Sequence, residues 1–270
     1  MSQKVIGVLG GMGPWATLDL FEKILRLTPA QVDQDHFRLV IDNNPKIPDR
    51  SPAILGDGED PTPALVATAK NLQQAGADFL VIPCNTAHFF YERIAAAVSI
   101  PVLHIMDEVA TAAREAVPDV RVLGVLATEA TMASGLYQRA CGRCGIEVVG
   151  PDPAGQRVVN RAIYGVKAGQ MGPEVTQGLV RVATHLLAQG AQAVVLGCTE
   201  LPYVMKPHDL QVPLLDSNLV LARAAVRLAA GTPQPFDSPA LRRARSWPPA
   251  TTAGESNAPS ERRESRGRLP

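Results

Sequence analysis

No stretch of this chain stays apolar for the ~20 residues that a bilayer crossing needs. Its start, Met1-Ser2-Gln3-Lys4-Val5, has none of a signal peptide's long apolar segment, so the expectation is a soluble, cytoplasmic protein. Excess charge is missing too. Lys and Arg number 26 against 26 for Asp and Glu, so net charge offers no case for nucleic acid or an anionic membrane. Cysteine is scarce: 4 in 270 residues do not make a disulfide framework, and a reducing compartment keeps such thiols free. Zinc spacing is absent as well. Cys141-Gly142-Arg143-Cys144 is a C-x-x-C at a helix end with no second pair, and it reads as two unrelated thiols. His36, His88, His104, His185 and His208 form no metal-ligand spacing, and no metal is expected. What remains is ordinary globular composition, 46% hydrophobic and 19% charged, in a length that allows one large or two medium domains.

Short apolar runs alternate with longer helix-like stretches almost to the end. Candidate strands are Val5–Leu9, Phe37–Asp42, Phe79–Ile82, Val102–Ile105, Val122–Leu126, Glu147–Val149, Val194–Leu196 and Val212–Leu215. Runs such as Thr62–Ala75 and Glu174–Gln189 carry apolar residues at helical spacing. Strand then helix, repeated, predicts an α/β protein with parallel sheets covered by helices on both faces. The order repeats once. Gly7-Val8-Leu9 is echoed by Gly124-Val125-Leu126, and Cys84 by Cys198 at nearly the same spacing, which argues for duplication of a half-unit. Residues 1–107 with 210–231 are expected to form a first lobe and residues 108–209 a second. From Thr232 to Pro270, Pro, Ser, Ala and Arg dominate without apolar periodicity, and this tail is expected to be disordered.

The two cysteines carry the chemistry. One copy reads Gly76-Ala77-Asp78-Phe79-Leu80-Val81-Ile82-Pro83-Cys84-Asn85-Thr86, the other Gly190-Ala191-Gln192-Ala193-Val194-Val195-Leu196-Gly197-Cys198-Thr199-Glu200. Each Cys falls just past the C-terminal end of a strand, the edge where open parallel sheets bind ligands. Asn85-Thr86 and Thr199-Glu200 are good helix-start residues, so each thiol is expected to feel a helix's positive end and to have a lowered pKa. The same N–H groups can hold a substrate carboxylate. One thiol from each half can grip a small substrate from two sides, the geometry of two-base proton transfer. For His88 a capping or packing role stands beside a catalytic one.

Gly10-Gly11-Met12-Gly13-Pro14, Asn43-Asn44-Pro45 with Ile47-Pro48-Asp49-Arg50, Pro83-Cys84-Asn85-Thr86-Ala87-His88 and Gly197-Cys198-Thr199-Glu200-Leu201-Pro202 occur in order. Together they resemble the aspartate racemase branch of the aspartate/glutamate racemase family, from Val5 to about Ala230. The resemblance implies a cofactor-independent amino-acid racemase acting on aspartate or glutamate. It also implies two pseudo-symmetric α/β lobes with the site in the cleft between them, and a homodimer. It makes Cys84 and Cys198 the catalytic pair, working on opposite faces of Cα. It points to Arg50 and Lys167 as ligands for the substrate's carboxylates, with Thr128 a further contact or a helix cap. Met12, Asn85, Thr86, Thr199 and Glu200 complete the substrate-binding set. The stretch Ile163–Gly169 is one residue shorter than the family's usual form, a departure that bears on where Lys167 points.

Other readings remain open. A maleate isomerase or an arylmalonate-type decarboxylase shares the superfamily, though the decarboxylase type relies on one cysteine and this chain has two. Glutamate racemase proper carries an acidic Asp-Ser where this chain has Gly11-Met12. Gly11-Met12-Gly13-Pro14-Trp15-Ala16 fits the G-x-G-x-x-A dinucleotide fingerprint of an oxidoreductase, but Asp42 lies beyond the ~20 residues expected before a ribose-binding acid. A ligand-binding protein that kept the cleft without turnover is a further class.

Overall fold

A computed structural model describes residues 3–231. The Pro/Arg/Ser-rich tail of the sequence reading lies outside the described residues. The first half runs β1 (Ile6–Gly10), α1 (Pro14–Leu27), β2 (Leu39–Asn43), α2 (Arg50–Leu55), α3 (Thr62–Gln74), β3 (Phe79–Val81), α4 (Tyr91–Ala96) and α5 (Ile105–Ala116). The second runs β4 (Val122–Leu126), α6 (Glu129–Ala133), α7 (Leu136–Gly142), β5 (Glu147–Val149), α8 (Pro153–Lys167), α9 (Pro173–Ala188), β6 (Ala193–Leu196), β7 (Leu214–Asp216) and α10 (Ser217–Ala230).

Two parallel sheets result, in the orders β2-β1-β3 and β5-β4-β6-β7. A parallel bridge between Leu80 and Val102 stands where β7 stands in the second sheet, so both halves share one topology. The duplication reaches the turns. Gly76 and Gly190 follow α3 and α9 with φ of 91° and 95°, a left-handed conformation that glycine adopts without strain. In each, the next residue's N–H closes the helix, Ala77 on Leu72 O and Ala191 on Leu186 O, both at 3.1 Å.

The strands β1, β3 and β6 are buried along their whole length, as strands with helices on both faces must be. A helix on the outer layer buries one stripe: α3 buries Leu65, Thr68, Ala69 and Leu72. Each sheet has an outer core of its own, Leu65, Leu80 and Ile82 with α3 in the first, Ile163, Leu186 and Val194 with α8 and α9 in the second. The inner faces share a third core, in which Val8 and Phe79 meet Val125 and Val195 around α5 and α10.

The expectation that residues 210–231 return to the first lobe fails for the strand. Leu214–Asp216 pairs with β6, Val194 opposite Leu214, and so extends the second sheet. Helix α10 then packs against α1 and α5, in the shared core. Its Ala222, Ala224, Ala225 and Ala229 are all buried, and such small side chains let three helices approach closely. Hydropathy cannot distinguish these two destinations, because both offer the strand an apolar neighbour. Lys23 of α1 locks the packing by binding Asp19 at 2.5 Å and Asp216 at 2.6 Å.

Candidate functional site

The C-terminal ends of β1, β2, β3 and β6 deliver the quoted motifs to one place. Cys84 and Cys198 are both buried, 6% and 7% exposed. Thr199 Oγ1 donates to the Pro83 carbonyl at 3.4 Å, so the second cysteine's turn is tied directly to the first's. The glycine-rich loop after β1 closes another side. Gly11, with φ of 93°, lies so near the Asn44 backbone that an added Cβ would fall 2.3 Å from its carbonyl carbon. A Cβ on Gly13 would stand 3.5 Å from Glu200 Oε1, which brings this loop to the second cysteine's turn.

Arg50, 7% exposed, begins α2 beneath that loop. Its Nη1 donates to Ile47 O at 3.3 Å and Pro48 O at 2.9 Å, and its Nη2 to Met12 O at 3.4 Å. A guanidinium carries five N–H donors. Nε has no partner among the described residues, and one Nη2 hydrogen is left over. The Nε and Nη2 side of a guanidinium is an edge that can take a carboxylate bidentately. Met12 thus contributes its carbonyl to holding Arg50, and its side chain is buried.

Lys167, the last residue of α8, does turn inward. Its Nζ is 3.9 Å from Glu200 Oε1 and 5.5 Å from the centre of the Tyr164 ring. Burial opposes its charge, but Glu200, Cys198 and Cys84 outweigh burial and hold the ammonium's pKa above its usual value, with Arg50 opposing. Arg50, Lys167, Glu200 and both thiols therefore share one electrostatic environment. Across the rim, Tyr164 OH donates to Asp49 Oδ2 at 3.3 Å and joins the two halves beside Arg50.

The expected helix starts are only 3-10 turns, Thr86–Phe90 and Leu201–Tyr203, and neither has a side-chain cap. Asn85 and Thr86 point elsewhere. Asn85 Nδ2 donates to Ser217 Oγ at 3.0 Å, and Asn85 Oδ1 accepts from Tyr137 OH at 2.7 Å. Thr86 Oγ1 lies 3.1 Å from Thr128 Oγ1 and 2.9 Å from Thr131 Oγ1. Thr128 also caps α6 by accepting the Thr131 N–H, which is the helix-cap reading of this residue. Sequence reasoning missed Tyr137, Thr131 and Ser217. Ser217, in Asp216-Ser217-Asn218 at the end of β7, was the most findable.

The expected lowering of the thiol pKa is wrong for Cys198. Burial pushes it well above the usual thiol range, and the adjoining Glu200 carboxylate pushes the same way, with Lys167 opposing. His88 has a structural position. Its Nε2 accepts the Ile105 N–H at 3.2 Å at the start of α5, which leaves Nδ1 to donate to Cys84 O at 2.8 Å. Burial and the neighbouring His104 lower its pKa to about 3, so the ring is neutral near pH 7. Of the C-x-x-C, Cys141 is buried in α7 and its thiol is pushed up to about 12, by burial first and Cys144 second. Both are free. Among the described residues no three His, Cys, Asp or Glu side chains converge as a metal site, and no helix is long and apolar enough to cross a membrane.

Comparison with known proteins agrees with the motif resemblance. The family model for Asp/Glu/hydantoin racemases matches residues 9–225. A broad-specificity amino-acid racemase of Bacillus subtilis, RacX, is 32% identical over 228 residues, which covers 82% of this chain and 96% of that protein. Among solved structures, the aspartate racemase of Picrophilus torridus is 31% identical with a TM-score of 0.75, covering 84% of this chain and 94% of that one. An aspartate racemase homologue from Pyrococcus horikoshii is 28% identical with a TM-score of 0.70, over 84% and 99% of the two chains. The chain belongs to the Asp/Glu/hydantoin racemase family and is an isomerase, an amino-acid racemase built from two parallel-sheet halves.

Proposed function

We propose that this racemase interconverts the enantiomers of a small amino acid, aspartate or glutamate foremost, with Cys84 and Cys198 as acid and base on opposite faces of Cα. The observation that carries the reading is the pair of buried thiols at matched strand ends of two halves, joined by the Thr199–Pro83 hydrogen bond. One cysteine, as thiolate, takes the α-proton, and the C–H electron pair moves onto the α-carboxylate. The other, as thiol, gives its proton to the opposite face and becomes the thiolate. Direction reverses the roles. An α-hydrogen is a poor acid, so the developing charge must be met by fixed donors. The free edge of Arg50 and the Lys167 ammonium are the cations for the substrate's carboxylates. Backbone N–H groups around Asn85, Thr86 and Thr199 complete the cradle. Both proton transfers are carried by side chains, and the scheme calls for no cofactor.

A maleate isomerase or a decarboxylase is the second reading, and the two matched thiols favour racemisation over a one-cysteine mechanism. Assembly as a homodimer belongs to the same proposal on the strength of the motif resemblance, and light scattering on the eluted protein decides it. The activity test is incubation of the pure protein with L- and D-aspartate and L-glutamate in deuterated water without added cofactor. Deuterium at Cα with inversion supports the reading. Loss of carboxylate, or no exchange with any amino acid, sinks it.

A further inference from the structure

Glu200 is 3% exposed and stands at the start of a 3-10 turn whose backbone it does not cap. A buried carboxylate is costly unless partners meet it. Its Oε2 accepts Cys198 Sγ–H at 3.0 Å and lies 3.3 Å from Thr199 Oγ1, whose one hydrogen it shares with the Pro83 carbonyl, while Oε1 faces Lys167 Nζ at 3.9 Å. The Gly13 backbone closes over it. Tyr203 in the following turn senses the same carboxylate, and Tyr137 of α7 senses Cys198. Both phenols are held above their usual pKa, by burial first, and stay neutral near pH 7. Cys84 and Arg50 reach this group of charges through Lys167. No other charged group comes as near to the Cys198 sulfur among the contacts described.

We propose that Glu200 is a positioning residue for Cys198, holding its thiol proton and aiming Sγ so that the substrate-free enzyme presents Cys198 as the acid. The inference rests on Cys198 being one of the two proton carriers. Once Cys198 has given up its proton, its sulfur carries negative charge beside a carboxylate, with Lys167 offsetting the repulsion. Recovery of a proton from solvent is favoured at Cys198 while Cys84, which now holds the substrate's α-proton, releases one to solvent, and the thiolate/thiol pair is restored for the next substrate. Racemisation has an equilibrium constant of one, so kcat/KM is equal for the two enantiomers and cannot report this bias. The thiols themselves must be read.

The experiment is iodoacetamide labelling of the full-length protein without substrate, with Cys84 and Cys198 quantified separately by peptide mass spectrometry across a pH series. In Glu200→Gln the Cys198 labelling profile should move at least one pH unit lower, roughly a 10-fold faster reaction at a given pH. Cys84 labelling should change by less than about 2-fold, and Glu200→Asp should return part of the shift. Lys167→Met removes the offsetting cation and should move Cys198 the other way, which keeps the test alive if the Gln variant does not fold. A Cys198 profile unmoved by both variants overturns the proposal, as does equal acceleration of both thiols, the sign of a loosened fold. Labelling uses no turnover, so this outcome is separate from the deuterium test of racemisation itself.

Discussion

Replacing Arg50 by Lys separates a substrate-binding guanidinium from a loop-bracing one. In the native arrangement three of its N–H donors go to the Ile47, Pro48 and Met12 carbonyls, and Nε has no partner among the described residues, so on the proposed reading it is open to a carboxylate. Lysine brings a point charge without the fork, so at least one charge-assisted hydrogen bond to substrate is lost. Such bonds are worth about 1.5–3 kcal/mol each, so kcat/KM for aspartate should fall by ~10-fold or more. Arg50→Ala should fall further. Loss of the backbone contacts also loosens the Met12 loop, and that effect strikes every substrate alike. Steady-state kinetics with aspartate, and with amino acids lacking a side-chain carboxylate, resolve the two. A deficit larger for aspartate assigns Arg50 to the side-chain carboxylate, and an equal deficit assigns it to the α-carboxylate or the loop. Unchanged kcat/KM for aspartate in Arg50→Ala would refute the reasoning.

Lys23→Met leaves Asp19 and Asp216 facing each other without their cation, and Asp19 is already held above its usual pKa by burial. The variant should lose stability toward the low end of the ~3–5 kcal/mol typical of a broken buried pair, because these side chains keep 15–18% exposure; urea unfolding measures it. His88 titrates near 6.5 when unfolded and near 3 when folded, so below pH 6.5 the unfolded state binds the extra proton. Its contribution to stability is intact above pH 6.5 and falls by about 1.4 kcal/mol per pH unit as pH drops toward 3. Stability against pH should be flatter for His88→Gln than for the native protein over that window, and parallel curves would contradict the assignment.

The duplicated half-unit was legible because it is written in local signals: a glycine after a helix, an apolar strand, then a cysteine. Gly76 and Gly190 take the same left-handed turn for that reason. Partner choice over long distances was not legible. Asn85 and Thr86 look like helix caps, yet their side chains meet Tyr137, Ser217, Thr128 and Thr131, which no periodicity identifies. The strand expected at Val212–Leu215 forms at Leu214–Asp216 and joins β6 rather than the first sheet, since an apolar strand carries no record of the sheet it joins. At Cys198 the helix argument lost to burial and to Glu200, two effects that appear only when the turn is folded against Lys167 and the Gly13 loop.

The most direct test of two-base catalysis is to remove each thiol alone and follow the α-hydrogen in deuterated water by NMR and chiral chromatography. With Cys84→Ala or Cys198→Ala, one face of Cα keeps its acid/base group and the other loses it. The account predicts that racemisation collapses in both variants, while one enantiomer still exchanges its α-hydrogen for deuterium with retention, a different enantiomer in each. Near-normal racemisation in either variant, or exchange of the same enantiomer in both, would contradict it.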